Sequence, residues 1–142
     1  MKEPIEIVQG DKSLRLNLYI IAASYLLIVV LIEPAIDFLL LLLFDQRSPA
    51  SIEQINQIKL VVSTLMYAVL GLIPALFGSW YGYRIVASSK LPPVLSSGKT
   101  HFPFTVVVIK GKPAKIFGVL LITISLVLIL QLLLYLVKVM FL

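Results

Sequence analysis

Three long apolar runs dominate this chain and limit what it can fold into. They cover residues 16–44, 60–83 and 116–142. Each exceeds the roughly 20 residues that an α-helix needs to cross a hydrocarbon core of about 30 Å. Hydrophobic residues make up 60% of the chain and charged residues 13%, against about 45–50% and about 25% in soluble domains. We therefore expect an all-α integral membrane protein, a single membrane domain over residues 1–142 with three transmembrane helices.

The distribution of charge predicts the orientation of these helices. All seven acidic residues lie before position 54, whereas residues 84–115 hold six Lys and Arg and no acid. Lys and Arg near the ends of transmembrane helices favour the cytoplasmic side. We expect a bacterial inner-membrane protein whose arm (residues 1–13) and basic loop (84–115) are cytoplasmic. The turn (45–50) and the tail (139–142) are then outside.

Prolines and capping residues refine the helix bounds. We expect helices over residues 14–44, 51–83 and 116–138. Proline lacks a backbone N–H and disfavours helical geometry at the preceding residue, so a kink or break is expected near Pro34. Ser51 and Gln54 fit a capping box at the start of helix 2. Pro74 should bend helix 2 and leave one backbone carbonyl without its hydrogen bond.

The short turn between helices 1 and 2 predicts an antiparallel hairpin, in which residues whose numbers sum to 95 or 96 lie at the same depth. Lys59 is then level with Asp37, near the outer boundary, and close enough to pair. Glu33 lies about one turn deeper, on the same side of the helix if Pro34 leaves it intact. Carboxylates inside a membrane often mark ion or proton pathways. The alternative is a structural role for this outer polar pair.

The outer end of helix 1 is apolar on every side. Residues 38–44 read Phe-Leu-Leu-Leu-Leu-Leu-Phe, yet the hairpin register places them beyond the membrane boundary. Such a helix must be covered all round. It lies flat in the outer leaflet, or the hairpin tilts strongly, or another protein covers it. The candidate partner-covered patch consists of Phe38, Leu40, Leu42 and Phe44.

Helix 2 carries a stripe of small residues at alternating spacings of four and three. Small residues let two helix backbones approach closely in a membrane. The stripe packs either on helices of the same chain or on a second chain. Its members are Thr64, Ala68, Gly71, Ala75, Gly78 and Gly82.

Helix 3 is mostly Leu, Ile and Val, except for a second stripe of Gln131, Tyr135 and Lys138. Gln131 requires a hydrogen-bond partner, which another helix supplies more readily than a ligand.

The basic loop contains one β-branched run, residues 105–109, which predicts a short strand. A single strand is not stable alone, so it must pair with a partner, a neighbouring copy or the loop's own beginning. The loop cations lie beside the predicted membrane surface, where each is worth about 1 kcal/mol of attraction to anionic lipid. We expect anionic phospholipid to contact Arg84, Lys110, Lys112 and Lys115. The net charge of +5 is therefore ascribed to lipid, and no nucleic acid is expected.

No motif predicts catalysis, a cofactor or a metal. Residues 97–100 resemble the end of a phosphate-binding loop, but Pro93 stands where that motif requires glycine, so no nucleotide is expected. His101 is the single histidine and has no nearby carboxylate, and the chain has no cysteine. No nucleophile–base pair is evident. The sequence predicts no enzyme.

Together these patterns favour a small non-enzymatic accessory or structural subunit. It would dock against other membrane proteins or against copies of itself in a membrane complex. The alternative is an ion or proton channel or transporter component that uses Glu33 and Asp37.

Overall fold

The computed structural model describes residues 5–44, 49–94 and 101–141, with side chains from residue 52 onward in the second range. Most of the described chain is helical, and all three helices are long and apolar enough to cross a membrane. The elements are β1 (Ile7–Val8), α1 (Lys12–Leu43), α2 (Pro49–Ser88), β2 (Lys90–Leu91), β3 (Val106–Val107), β4 (Ile109–Lys110) and α3 (Lys112–Met140). Most of the predicted turn, residues 45–48, and residues 97–100 lie outside the described residues.

Helix α1 begins at Lys12 because Asp11 caps it. The Asp11 side chain accepts hydrogen bonds from the backbone amides of Ser13, at 2.8 Å, and of Leu14, at 3.4 Å. Such a cap satisfies donors that have no partner inside the helix. α1 then runs to Leu43 with Pro34 inside it. The helix continues through Pro34, so the predicted kink or break is not a break, and the kink stays a prediction.

The other two helices extend beyond the bounds predicted from the apolar runs. α2 ends at Ser88 rather than residue 83, and the Ser88 hydroxyl donates a 2.8 Å hydrogen bond to the Arg84 carbonyl in its last turn. α3 begins at Lys112 rather than 116 and continues to Met140 rather than 138. Gly111 (φ 74°) precedes it, and Pro113 occupies its first turn, where proline's fixed φ suits a helix start. Charged residues therefore continue the helices past the apolar runs.

α1 and α2 form the expected antiparallel hairpin. Lys59 pairs with Asp37, and Leu40 packs in one cluster with Ile55. Each pair has residue numbers that sum to 95 or 96. The register deduced from the short turn therefore holds.

α2 is the central helix. α3 packs antiparallel along α2, whereas α1 contacts α2 at fewer points and makes no helix–helix contact with α3 among the described residues. The crossing brings Gly82 beside Gly118 and, farther along, Gly71 beside Leu132. The result is an up-down-up arrangement in which the first and last helices flank the second.

A layer of short strands closes one end of the bundle, which we call the basic end (residues 5–15, 84–94 and 101–115). β1 pairs antiparallel with β3, and β2 pairs antiparallel with β4. The loop was predicted to hold one strand, and its run at 105–109 instead divides between two. β4 pairs with the beginning of the loop, one of the partners left open above, and β3 pairs with the N-terminal arm, which was not considered. Neither strand therefore needs a partner from another chain. The opposite end, where α1 meets α2 and α3 finishes, is called the hairpin end (residues 37–44, 49–59 and 135–141).

Candidate functional sites

The small-residue stripe of α2 packs against α3 of the same chain, one of the two arrangements left open above. Thr64, Ala68 and Ala75 are 4%, 3% and 1% exposed. A Cβ added to Gly82 would lie 2.8 Å from the Gly118 carbonyl oxygen, and one added to Gly118 would lie 2.8 Å from the Gly82 carbonyl oxygen. The backbones themselves therefore touch. This surface, the α2–α3 seam, is occupied within the chain and does not indicate a second one.

The α3 side of the seam was missed by the sequence reasoning. Its buried positions are Ala114, Gly118, Ser125 and Val139, which are separated by four, seven and fourteen residues. A heptad spacing of this kind matches the alternating four and three of the α2 stripe and keeps one face in contact along an antiparallel pair. The signal was present in the sequence, but the Leu-rich composition of helix 3 obscured it.

Tyr25 holds α1 to α2 at the point where Pro74 interrupts the hydrogen bonding of α2. Pro74 has no N–H, so the carbonyl four residues earlier, that of Leu70, loses its helical donor. The Tyr25 hydroxyl donates a 2.9 Å hydrogen bond to this carbonyl. The vacant acceptor was predicted from Pro74, but its donor was not, although Tyr25 and Leu70 obey the hairpin register.

The outer polar pair lies beside a small cavity at the hairpin end. Lys59 Nζ is 2.5 Å from Asp37 Oδ1, with side chains 35% and 55% exposed. A cavity of about 310 Å³ adjoins this pair, and Glu33 lines it. Side chains from all three helices surround it, namely Glu33, Asn56, Lys59, Leu60, Ser63, Thr64, Tyr67 and Tyr135. The structure thus brings Glu33 and Lys59 to one polar cleft and pairs Asp37 with the same lysine.

The predicted patch at the end of α1 divides into two faces. Leu40 is 7% exposed and packs with Ile32, Ile36 and Ile55, so it belongs to the contact between α1 and α2. Phe38 and Leu42 are 64% and 65% exposed. Four further residues at this end are also exposed: Leu39, Leu41, Leu43 and Phe44. The prediction that Leu40 lies on a partner-covered surface is wrong, because α2 already covers it.

Gln131 is exposed on α3. Within the described part of the chain nothing forms a hydrogen bond with its carboxamide. Its apolar neighbours Leu130, Leu133 and Leu134 are also exposed. The predicted hydrogen bond to another helix is therefore not made to a described residue of this chain.

An ion-pair cluster joins the N-terminal arm to the strand layer at the basic end. The Glu6 carboxylate lies 2.6 Å from Lys110 Nζ and 3.4 Å from Lys90 Nζ. The hydrogen bond from Lys110 holds the pKa of Glu6 below its ordinary value. The backbone reinforces the join, because the Val108 amide donates a 2.9 Å hydrogen bond to the Glu6 carbonyl.

The four cations predicted to contact lipid differ in the side chains around them. Lys110 pairs with Glu6, and the guanidinium of Arg84 lies 5.6 Å from the ring centroid of Trp80. Lys112 and Lys115 are exposed in the first turn of α3. Arg15, which was not among the predicted contacts, has its guanidinium 5.9 Å from the ring centroid of Phe104.

A larger cavity of about 760 Å³ lies between the strand layer and the helices at the basic end. We call it the aromatic cavity. The rings of Phe77, Trp80, Phe104 and Phe117 line it, together with Leu18 at the start of α1. It was not predicted from the sequence, because its walls come from five separate stretches of chain that only the strand pairing brings together.

No group of three or more His, Asp and Glu residues that could hold a metal ion occurs among the described residues. The chain matches no protein family, no curated protein and no solved structure.

Proposed function

We propose that this chain is an integral membrane protein whose three helices span the bilayer, with the basic end in the cytoplasm. The charged residues that bracket the helices support this placement. Arg15 and Asp37 are about 33 Å apart along α1, and Lys115 and Lys138 about 35 Å apart along α3. Both separations match a hydrocarbon core of about 30 Å with its charged residues just outside.

Within that membrane, we propose that the chain is a small non-enzymatic subunit that docks against other membrane proteins or against copies of itself. One observation carries the proposal: the end of α1 is an exposed apolar surface, and in the proposed placement it lies beyond the membrane boundary. α1 continues for about 9 Å past Asp37, and the residues at positions 38, 39, 41, 42, 43 and 44 have exposed apolar side chains.

The neighbouring segment of α2 supports this interpretation of the depth. Residues 53, 54, 56 and 57, level with the end of α1 in the hairpin register, are Glu, Gln, Asn and Gln, and all four are exposed. Polar side chains on one helix indicate water or lipid head groups at that height. The apolar end of α1 beside them is then covered by a partner rather than by lipid tails.

Gln131 supplies a second reason. In the proposed membrane it lies about 10 Å inside Lys138, at the depth of lipid tails. A carboxamide there is stabilised by a hydrogen bond to another helix, worth about 0.6 kcal/mol on average. A neighbouring chain is the natural source of that bond. Neither the α2–α3 seam nor the strand layer supports docking, because the seam packs against α3 and the strands pair with one another within the chain.

The size of the particle after mild extraction from the membrane tests this function. The chain alone has a mass of 15.8 kDa, and we expect a larger protein assembly. The double variant Phe38→Ser with Leu42→Ser should release the chain from it. Leu27→Ser with Leu31→Ser is the matched control, since these residues are also exposed, on the same helix and four apart. A monomeric wild-type protein, or equal release by both double variants, would contradict docking through the end of α1.

A second candidate, from a different class, is an ion or proton channel or transporter component. The polar cleft at the hairpin end favours it, because Glu33 lines a cavity of about 310 Å³ that also holds Lys59 and two tyrosines. Three spans are few for a complete transporter, so this function too requires assembly. Ion or proton flux into vesicles should fall in Glu33→Gln if it is correct. An unchanged flux in both Glu33→Gln and Asp37→Asn would leave the docking role.

A further inference from the structure

We propose that the aromatic cavity binds an acyl chain of an anionic phospholipid, with Arg15 and Arg84 holding the phosphate at its rim. This inference uses the membrane placement proposed above but does not depend on the docking role. It assigns a specific lipid site to a region for which the sequence indicated only general attraction to a charged surface.

The lining of the cavity selects an apolar ligand. Aromatic rings, prolines and aliphatic side chains form most of its wall, and no acidic residue is among them. Its volume of about 760 Å³ lies within the roughly 300–1,000 Å³ typical of small-ligand sites. That is space for a chain of a lipid rather than for a protein helix with its side chains.

Two arginines place positive charge against rings of the cavity wall. Arg15 lies over Phe104 at 5.9 Å, and Arg84 lies over Trp80 at 5.6 Å, measured to the ring centroids. Both rings also line the cavity, so each guanidinium is held beside the apolar wall by a cation–π contact. Guanidinium groups bind phosphate through paired N–H donors. An apolar cavity with two such groups at its edge fits an anionic amphiphile.

α1 leaves a lateral route into the cavity. Every residue from 16 to 24 on this helix is exposed, whereas its buried residues, Ile32, Ile36 and Leu40, lie toward the other end. α1 is therefore closely packed on α2 at the hairpin end and not at the basic end. In the proposed orientation this opening faces the inner leaflet, where anionic lipids concentrate and where Trp and Tyr side chains favour the interface.

Fluorescence quenching of Trp80 tests the site, because Trp80 lines the cavity and is the single tryptophan of the chain. The full chain is reconstituted in vesicles that mix phosphatidylcholine with phosphatidylglycerol. In one set the phosphatidylglycerol carries a brominated acyl chain, and in the other the phosphatidylcholine does, at equal mole fraction. Bromine quenches tryptophan on close approach. We expect stronger quenching by the anionic lipid.

Two variants separate the rim from the rest of the basic surface. Arg15→Gln with Arg84→Gln should reduce the preference for brominated phosphatidylglycerol by at least about tenfold per arginine, since a hydrogen bond to a charged group contributes about 1.5–3 kcal/mol and 1.4 kcal/mol is a factor of ten. Lys112→Gln with Lys115→Gln removes the same charge from exposed positions and should cost less, about fivefold per lysine at most, because only the general attraction of about 1 kcal/mol is lost. Equal losses in both double variants would mean general surface attraction and would overturn the site.

Two single substitutions test the cavity itself. Leu18→Phe places a larger side chain in the cavity and should weaken quenching by the anionic lipid. Ile20→Phe makes a similar change at an exposed position of the same helix that does not line the cavity, and it should leave quenching unchanged. Circular dichroism confirms that each variant keeps its helices.

The possible failures are distinguishable. Equal quenching by the two lipids in the wild-type protein would overturn the lipid site and leave the membrane placement intact. Quenching by neither lipid would overturn the membrane placement as well. The first result would not bear on the docking of α1, which is measured separately by particle size, whereas the second would also remove the membrane boundary from which docking is argued.

Discussion

The two sides of α2 are built in different ways. On one side, α3 approaches so closely that Gly82 and Gly118 place their backbones in contact. On the other side, α1 is held by separate points: an aliphatic cluster around Leu40, the ion pair of Asp37 with Lys59, and the hydrogen bond from Tyr25 to the Leu70 carbonyl.

This difference indicates which surfaces can change. Backbone contact along the α2–α3 seam leaves no room for adjustment, so that pair forms the rigid part of the molecule. α1 depends on side chains, and its contacts are concentrated toward the hairpin end. That arrangement leaves space for the aromatic cavity at the basic end and leaves the apolar side chains at the other end of α1 exposed.

Breaking the seam should have the largest effect. In Gly82→Leu the new Cβ would meet the Gly118 carbonyl at 2.8 Å and Ile122 at 2.8 Å, and a backbone atom cannot rotate away. We expect a loss of about 3 kcal/mol in unfolding free energy in detergent, at the upper end of the usual cost of overpacking.

Leu76→Ala is the control for the seam, because Leu76 is 59% exposed. It should change the unfolding free energy by no more than about 0.5 kcal/mol. If Gly82→Leu were tolerated and Leu76→Ala were disruptive, α2 would pack through its other side and the assignment of the seam would be wrong. Gly78→Leu tests the same surface one turn away, where the added Cβ would meet the Ser125 hydroxyl.

Breaking the aliphatic cluster of α1 should cost less. Leu40→Ala removes a buried side chain from a small cluster, and we expect a loss of about 2 kcal/mol, at the lower end of the range for such substitutions. Leu41→Ala, at the adjacent and 64% exposed position, should be nearly neutral. Protease sensitivity of α1 should rise in Leu40→Ala while α2 and α3 stay protected. Loss of protection in all three helices at once would mean that α1 is not the separable part.

The link between Tyr25 and Pro74 can be isolated by a double-mutant cycle. Tyr25→Phe removes the donor to the Leu70 carbonyl and should reduce the unfolding free energy by about 1 kcal/mol. Pro74→Ala restores a backbone N–H that can bond to the same carbonyl. In that background Tyr25→Phe should cost much less, so the two changes are coupled. Equal costs of Tyr25→Phe in both backgrounds would show that the hydroxyl does not compensate for the proline.

Local patterns in the sequence predicted much of this fold. Hydropathy located three helices, the short turn fixed the register that pairs Asp37 with Lys59, and regular spacing identified the small-residue stripe. Each of these depends on residues that are near neighbours in the chain or on one helix. The helix ends were less accurate, because charged residues such as Arg84 and Lys112 continue a helix as readily as they end an apolar run.

The strand layer and the aromatic cavity could not be predicted in this way. The paired residues Ile7 of β1 and Val107 of β3 are 100 residues apart in the chain, and each strand contributes two residues, which is too short for a periodic signal. The cavity requires the direction of α1 relative to α2 as well as the pairing of this layer. Its arginines could be counted in the sequence, but their positions over Phe104 and Trp80 depend on the folded chain.

The smallest expected effect concerns the attachment of the arm, and pH reveals it. Lys110 lowers the pKa of Glu6 in the folded protein, so the charged carboxylate stabilises the arm at pH values above its ordinary pKa of 4.5. That stabilisation decreases as the pH falls below 4.5 and through the lower folded pKa, because protonation removes the ion pair.

Hydrogen exchange at the Val108 amide, which bonds to the Glu6 carbonyl, should therefore accelerate on acidification after correction for the intrinsic rate. In Glu6→Gln the exchange should be faster at neutral pH and should lose this dependence. If the wild-type protein and Glu6→Gln showed the same corrected pH profile, the backbone pairing of β1 with β3 would be sufficient to hold the arm. The effect stays small in either case because the Glu6 side chain is 40% exposed and water screens its charge.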